Sequence, residues 1–195
     1  MIIVITPERA VKNETVIINQ LFQEGLDLLH IRKPFLSKDE MKDFIEEIDY
    51  RYHPQLVLHN HYDLSAGFNI SRFHYRETDR VNGLSIQDIN NRIISTSVHN
   101  INTYNNLGNE WEYSLISPVF PSISKKGYGE NTKMLEDIRY RNNPDVKLIA
   151  LGGIHENNIR EVGDTAVDGI ALLGAIWENN QPLHIFKKCR NVLLQ

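Results

Sequence analysis

Cysteine is nearly missing from this chain: Cys189 is the one example in 195 residues. That excludes an internal disulfide framework and a multi-cysteine metal site, and it fits a reducing cytoplasm. No motif surrounds Cys189, so it reads as a buried filler of the last helix, with a nucleophile as the alternative. Positive charge is not in excess either. Lys and Arg number 21 against 25 Asp and Glu, a net charge of −4. This balance argues against general nucleic-acid binding, and any basic site must be local. Long hydrophobic runs are absent as well, and no stretch approaches membrane-spanning length. The start, Ile2-Ile3-Val4-Ile5-Thr6, lacks the basic residues, long apolar region and cleavage site of a signal peptide. The expectation is a cytoplasmic protein without a membrane partner.

What is present is a globular composition, 41% hydrophobic and 24% charged. A single domain spanning 1–195 has enough chain for a substantial core. Short apolar runs fall at 2–6, 26–32, 55–59, 71–75, 92–98, 113–116, 146–151 and 167–173. Helical patterns separate most of them: 15–24 stopping at Gly25, 38–48, a short piece ending near Gly67, 86–91, 101–107, 133–141, 155–162 and 182–193. Ser37 and Glu40 have capping-box spacing at the start of the second helix. Segment 76–82 is polar and reads as loop. Eight strand–helix units without hairpin turns predict a parallel sheet closed into a small (βα)8 TIM barrel with shortened helices. An open dinucleotide-binding sheet is the rival. It lacks its glycine motif, because Thr6-Pro7-Glu8-Arg9 follows the first strand.

In such a barrel the active site lies at the C-terminal ends of the strands. Those ends carry Arg32 and Lys33, His59 and Asn60, His74 and Arg76, Ser97 and His99, Ser122 to Lys126, Gly152 and Gly153, and Gly174. Each alone has an ordinary explanation: a hydrogen-bonded histidine, a surface charge, a turn. Together they require coincidence at six or seven strand ends. Gly152-Gly153-Ile154 and Leu173-Gly174-Ala175 offer backbone N–H groups with no side chain in the way, which suits a phosphate. Arg32, Lys33, Lys125 and Lys126 add charge for a second anionic group on the opposite rim.

The ordered set of these motifs resembles the thiamin phosphate synthase/TenI superfamily of vitamin B1 biosynthesis. Ile3-Val4-Ile5-Thr6-Pro7 resembles its first strand, His30-Ile31-Arg32 its Gln/His-x-Arg segment, and Ser97-Val98-His99 its Ser-Val-His. Pro118-Val119-Phe120-Pro121-Ser122-Ile123-Ser124-Lys125 is similar to the synthase's Pro-Val-Phe-Pro-Thr-x-Thr-Lys, and Ala150-Leu151-Gly152-Gly153-Ile154 to its phosphate loop. The resemblance implies a transferase that joins hydroxymethylpyrimidine diphosphate to thiazole phosphate and releases pyrophosphate. It implies that Arg32 and Lys125 hold the diphosphate, with Ser122 and Ser124 nearby in place of threonines. Gly153, Leu173 and Gly174 would cradle the thiazole phosphate, and Ser97 would lie near the pyrimidine.

The departures from the pattern are specific. The synthase glutamine is His30, and its lysine two places after the arginine is Pro34, with Lys33 adjacent. His30, Lys33 and Asn60 fall among the implied substrate-binding residues. The Asn-Asp pair after the third strand is His59-Asn60, so one implied Mg²⁺ carboxylate is lost and Asp79 is left as the other. The sister activity is a thiazole tautomerase, whose proton-transferring histidine falls on Pro118. Proline does no acid–base chemistry, so His99, His59 or His30 would have to replace it. A non-catalytic binder of thiazole or thiamin phosphate is the third alternative. The implied partners are small phosphorylated molecules. The apolar last helix and Trp177 leave a homodimer open beside plain barrel cover.

Overall fold

A computed structural model describes residues 1–82, 92–123 and 127–193. The expected Ser124, Lys125 and Lys126, and the expected helix at 86–91, lie outside the described residues. Eight strands close a parallel barrel in sequence order. They are β1 (Ile2–Ile5), β2 (Leu28–Ile31), β3 (Leu56–Leu58), β4 (Arg72–Tyr75), β5 (Ile93–Val98), β6 (Tyr113–Ile116), β7 (Lys147–Leu151) and β8 (Gly169–Leu172). Around them run α1 (Glu14–Gln23), α2 (Lys38–Glu46), α3 (Ser65–Phe68), α4 (Glu77–Val81), α5 (Ile101–Asn105), α6 (Met134–Asp137), α7 (Ile159–Gly163), α8 (Gly174–Trp177) and α9 (Pro182–Leu193).

Period-two alternation along each strand divides the core in two. Ile3, Ile5, Leu28, Val57, Tyr113, Leu115, Ile149 and Ala171 form one cluster, in the barrel lumen. Their neighbours, such as Ile2, Val4, Leu29, Ile31, Leu58, Leu148 and Ile170, join the layer between strands and helices. Both faces are buried, which is why the strands read as continuous apolar runs. The lumen is not uniform. His30, His74, Ser95 and Ser97 have the same parity as the inward residues, and His74 pairs in register with Ser95, which pairs with Tyr113. One sector of the lumen is therefore polar.

The helices follow local signals. Ser37 Oγ accepts from the Glu40 N–H at 3.3 Å, and the Glu40 carboxylate accepts from the Ser37 N–H at 2.7 Å, completing the expected capping box. The last helix covers the barrel with Ile185, Phe186 and Cys189. Burial pushes the Cys189 thiol up to about 12, so it is packing and not a nucleophile.

Two local expectations are corrected. Segment 76–82 is not loop but α4: the Asp79 carboxylate accepts from the Arg76 N–H at 3.1 Å and from its guanidinium at 2.8 and 2.9 Å. That one-sided clamp, with both Asp79 oxygens accepting from Arg76, supports a turn which the polar composition concealed. Gly174-Ala175 is not a bare turn but the start of α8, and Trp177 at its end donates its indole N–H to the Ile5 carbonyl at 2.7 Å. With α9 packed on the barrel, Trp177 and the apolar last helix are engaged within the chain.

Candidate active site

All eight strand ends converge on one cavity of about 210 Å³ at the C-terminal mouth of the barrel. Ile5, Leu115, Leu151 and Ala171 form its apolar floor on one side. His59, His74 and Ser97 form a polar floor on the other. Arg32 and Arg76 stand at the rim, and Gly152, Gly153, Leu173 and Gly174 close the side opposite in chain order. Tyr128 and Ser122, from the loop after β6, complete the wall.

Of the residues expected from sequence, Arg32, His59, Ser97, His99, Ser122, Gly153, Leu173 and Gly174 line this cavity. Lys33 does not. Its side chain is 1% exposed and its ammonium meets the Glu14 carboxylate at 2.7 Å, so it cannot face a substrate phosphate. Glu14 opens α1, where a carboxylate is favoured by the helix N-terminus, and it draws Lys33 inward. His30 lies beneath the cavity, fully buried. Asn60 and Asp79 line a neighbouring depression that shares His59 and Arg76 with the main cavity. His74, Arg76 and Tyr128 line the site without having been assigned a role. The inward parity of β4 was the signal available for His74.

The polar floor is a connected network. Tyr113 Oη meets His30 Nε2 at 2.7 Å, and His30 Nδ1 meets His59 Nε2 at 2.9 Å. His74 lies between Ser95 Oγ and Ser97 Oγ, each at 2.9 Å from one ring nitrogen. The rings of His59 and His74 stack with centroids 4.4 Å apart. Burial, followed by neighbouring positive or imidazole groups, holds His30 and His59 well below the ordinary histidine range. Burial lowers His74 to about 3, against the raising effect of Asp79. The three imidazoles are neutral at physiological pH. His99 differs: it keeps about half its side-chain surface exposed, and its Nδ1 donates to the Ser117 carbonyl at 2.9 Å.

The rim cations are differently held. Arg32 pairs with Glu8 at 2.6 Å and is one-third exposed. Arg76 is clamped by Asp79 and largely exposed. A Mg²⁺ ion, which the family resemblance implies, would look to Asn60 and Asp79. The Asn60 Oδ1 is buried without a hydrogen-bond partner among the described residues, but it is uncharged. Asp79 has both oxygens engaged by Arg76. This pair does not fit a Mg²⁺ site on its own.

The glycine wall is set by close approach. Gly152 has φ +104° and Gly153 φ +64°. A Cβ on Gly153 would stand 2.2 Å from the Pro121 carbonyl oxygen, and one on Gly152 2.9 Å from Pro118 Cα. The loop after β6 is bonded to this turn: the Val119 N–H donates to the Leu151 carbonyl at 3.0 Å and the Phe120 N–H to Gly152 at 3.1 Å. Gly153→Ala is expected to cost about 1–3 kcal/mol through left-handed strain and contact with the loop. Urea unfolding measures it, and an unchanged midpoint would remove the steric argument.

Fold and cavity together define a (βα)8 barrel with a cavity at the strand C-termini, where barrels of this class carry their sites. A family model described as thiamine monophosphate synthase matches residues 2–176, and the chain belongs to that family. Among curated relatives, the thiamine-phosphate synthase of Anoxybacillus flavithermus is 25% identical over 190 residues, covering 93% of this chain and 86% of its own. That of Clostridium tetani is 24% identical over 157 residues, covering 78% and 75%. Among solved structures, the thiamine phosphate pyrophosphorylase of Bacteroides thetaiotaomicron superposes with a TM-score of 0.79 at 28% identity, covering 98% of this chain and 96% of its own. The Pyrococcus furiosus pyrophosphorylase, at 20% identity, shares the fold with a TM-score of 0.80, covering 99% and 95%.

Proposed function

We propose that this chain joins hydroxymethylpyrimidine diphosphate to thiazole phosphate and releases pyrophosphate. The observation that carries the reading is one cavity with two anion-suited sides: guanidinium groups of Arg32 and Arg76 at one rim, and the Gly152-Gly153 and Leu173-Gly174 backbone at another. The names of the relatives point the same way.

In this reading the thiazole phosphate lies against Gly153, Leu173 and Gly174. The diphosphate lies toward Arg32 and Arg76, with Ser122 and, from the sequence, Ser124 and Lys125 beside it. The C–O bond to the diphosphate breaks and pyrophosphate leaves with the electron pair. The thiazole nitrogen gives its lone pair to the exposed methylene carbon, forming the C–N bond. Arginine forks stabilise the charge that grows on the leaving oxygens. The pyrimidine, which turns cationic as the bond breaks, faces Ser97 and the neutral imidazoles of His59 and His74. No general base is required at Pro118, where the tautomerase pattern needs a histidine, and no observation favours that second activity.

The test is direct assay of thiamine phosphate and pyrophosphate from the two substrates, with Mg²⁺ and with chelator. Product is expected, and Arg32→Ala should lower kcat/KM about 100-fold, roughly 2.7 kcal/mol of transition-state stabilisation. Binding of both substrates without product under either condition would refute the transferase and leave a binder.

A further inference from the structure

The imidazoles that face the pyrimidine in the proposed reaction belong, with the buried His30, to a constellation that fits a second kind of ligand. His30, His59 and His74 each present one ring nitrogen such that the three lie within 4.8 Å of one another. His30 is on β2, His74 on β4, and His59 directly follows β3, so three adjacent strands fix the triad. We propose that this triad is a binding site for a borderline divalent transition-metal ion of the Zn²⁺ or Co²⁺ class.

Three arguments support it. First, three imidazoles with an open fourth side are the donor set of a tetrahedral nitrogen site, and imidazole suits Zn²⁺ and Co²⁺ where Mg²⁺ demands oxygen. Second, one pair is already near the spacing an ion needs, and the third nitrogen lies within 4.8 Å of both. Ligand nitrogens around tetrahedral zinc stand about 3.3 Å apart, given bonds of about 2.0–2.1 Å. His30 Nδ1 and His59 Nε2 are 2.9 Å apart and would open by a few tenths of an ångström. The proton they share is what the ion would replace, while His74 would give up one serine contact and approach. Third, the outer supports exist already. His30 keeps Tyr113 Oη on its other nitrogen at 2.7 Å, and His74 keeps whichever of Ser95 and Ser97 it does not release. Such partners fix ring orientation in metal sites.

His59 and His74 line the cavity. The fourth coordination position therefore opens on it, and an ion there would take a nitrogen or oxygen atom from whatever molecule enters.

The experiment uses the full chain stripped with chelator and titrated with Co²⁺. Calorimetry is expected to show one ion per chain, with the visible absorption of a tetrahedral nitrogen site. Azide is expected to shift that spectrum by occupying the open position. His59→Ala should weaken Co²⁺ binding about 100-fold or more, with His59→Gln as a size-conserving second variant, while exposed His184→Ala leaves binding unchanged. The proposal is overturned by the absence of saturable binding, by equal affinity in both His59 variants and the parent, or by an octahedral spectrum insensitive to azide. Because the readout is binding and spectrum, its failure is separate from any failure of the transferase assay.

Discussion

Lys33→Met is expected to destabilise the fold by about 3–5 kcal/mol at neutral pH. The side chain is buried, and its ammonium neutralises a Glu14 carboxylate that is itself 4% exposed. Removing one partner of such a pair leaves an uncompensated charge in a poorly polarisable place, which is what makes the cost large. Lys33 also lies over the Phe44 ring at 5.4 Å, and methionine preserves much of that apolar contact. The loss is thus mainly electrostatic. Burial already raises Glu14 above the ordinary carboxylate range. Without Lys33 it rises further, so the destabilisation should shrink as pH falls and Glu14 takes up a proton. The double variant Lys33→Met, Glu14→Leu should recover most of the stability. Urea unfolding of the single and double variants at pH 7 and pH 5 checks this. A single-variant loss under about 1 kcal/mol, or no recovery in the double variant, would mean that the pair is not a coupled unit.

The second large effect is acid sensitivity. His30, His59 and His74 are held neutral in the folded chain but titrate near pH 6.5 once unfolded. Their contribution to stability is complete above the unfolded value and is lost as pH falls toward the depressed folded values, about 3 for His74. Each imidazole contributes a slope of at most about 1.4 kcal/mol per pH unit, so the three together reach about 4. At that slope a domain of ordinary stability, about 5–15 kcal/mol, would be exhausted about one to four units below pH 6.5. Cooperative unfolding should therefore arrive on the acid side of about pH 5. Thermal melts in chelator from pH 8 to pH 5 give the slope in a window where most carboxylates are still ionised. A flat midpoint between pH 7 and pH 5 would show that the network accepts protons without cost.

The barrel was legible because each of its eight strands is buried on both faces, and the boundaries of β6 and α9 match the sequence reading residue for residue. The rim was legible where strand ends carry charge or glycine, as at Arg32 and Gly153. Lys33 shows the limit. Adjacent cations in sequence point to opposite sides of a turning chain, and the position of Glu14 on a different element decides which is buried and which faces the cavity. The histidine network was hidden for a related reason. His30, His59 and His74 are 29 and 15 residues apart along the chain, and their contact depends on inward parity and on strands that neighbour one another after closure. Segment 76–82 was missed because its helix depends on an Arg–Asp cap rather than on an apolar stripe.

Gly152 and Gly153 leave room for Pro118 to Pro121, and that loop is bonded along the turn at Leu151 and Gly152. Positions 118–121 and 152–153 are therefore one unit of inheritance. A lineage that placed a side chain at 152 or 153 would have to rebuild the loop after β6 in the same step, and with it the wall that carries Ser122 and Tyr128. The two walls of the cavity are thus mechanically tied, and if the proposed function holds, this barrel has few independent routes to a new pair of ligands.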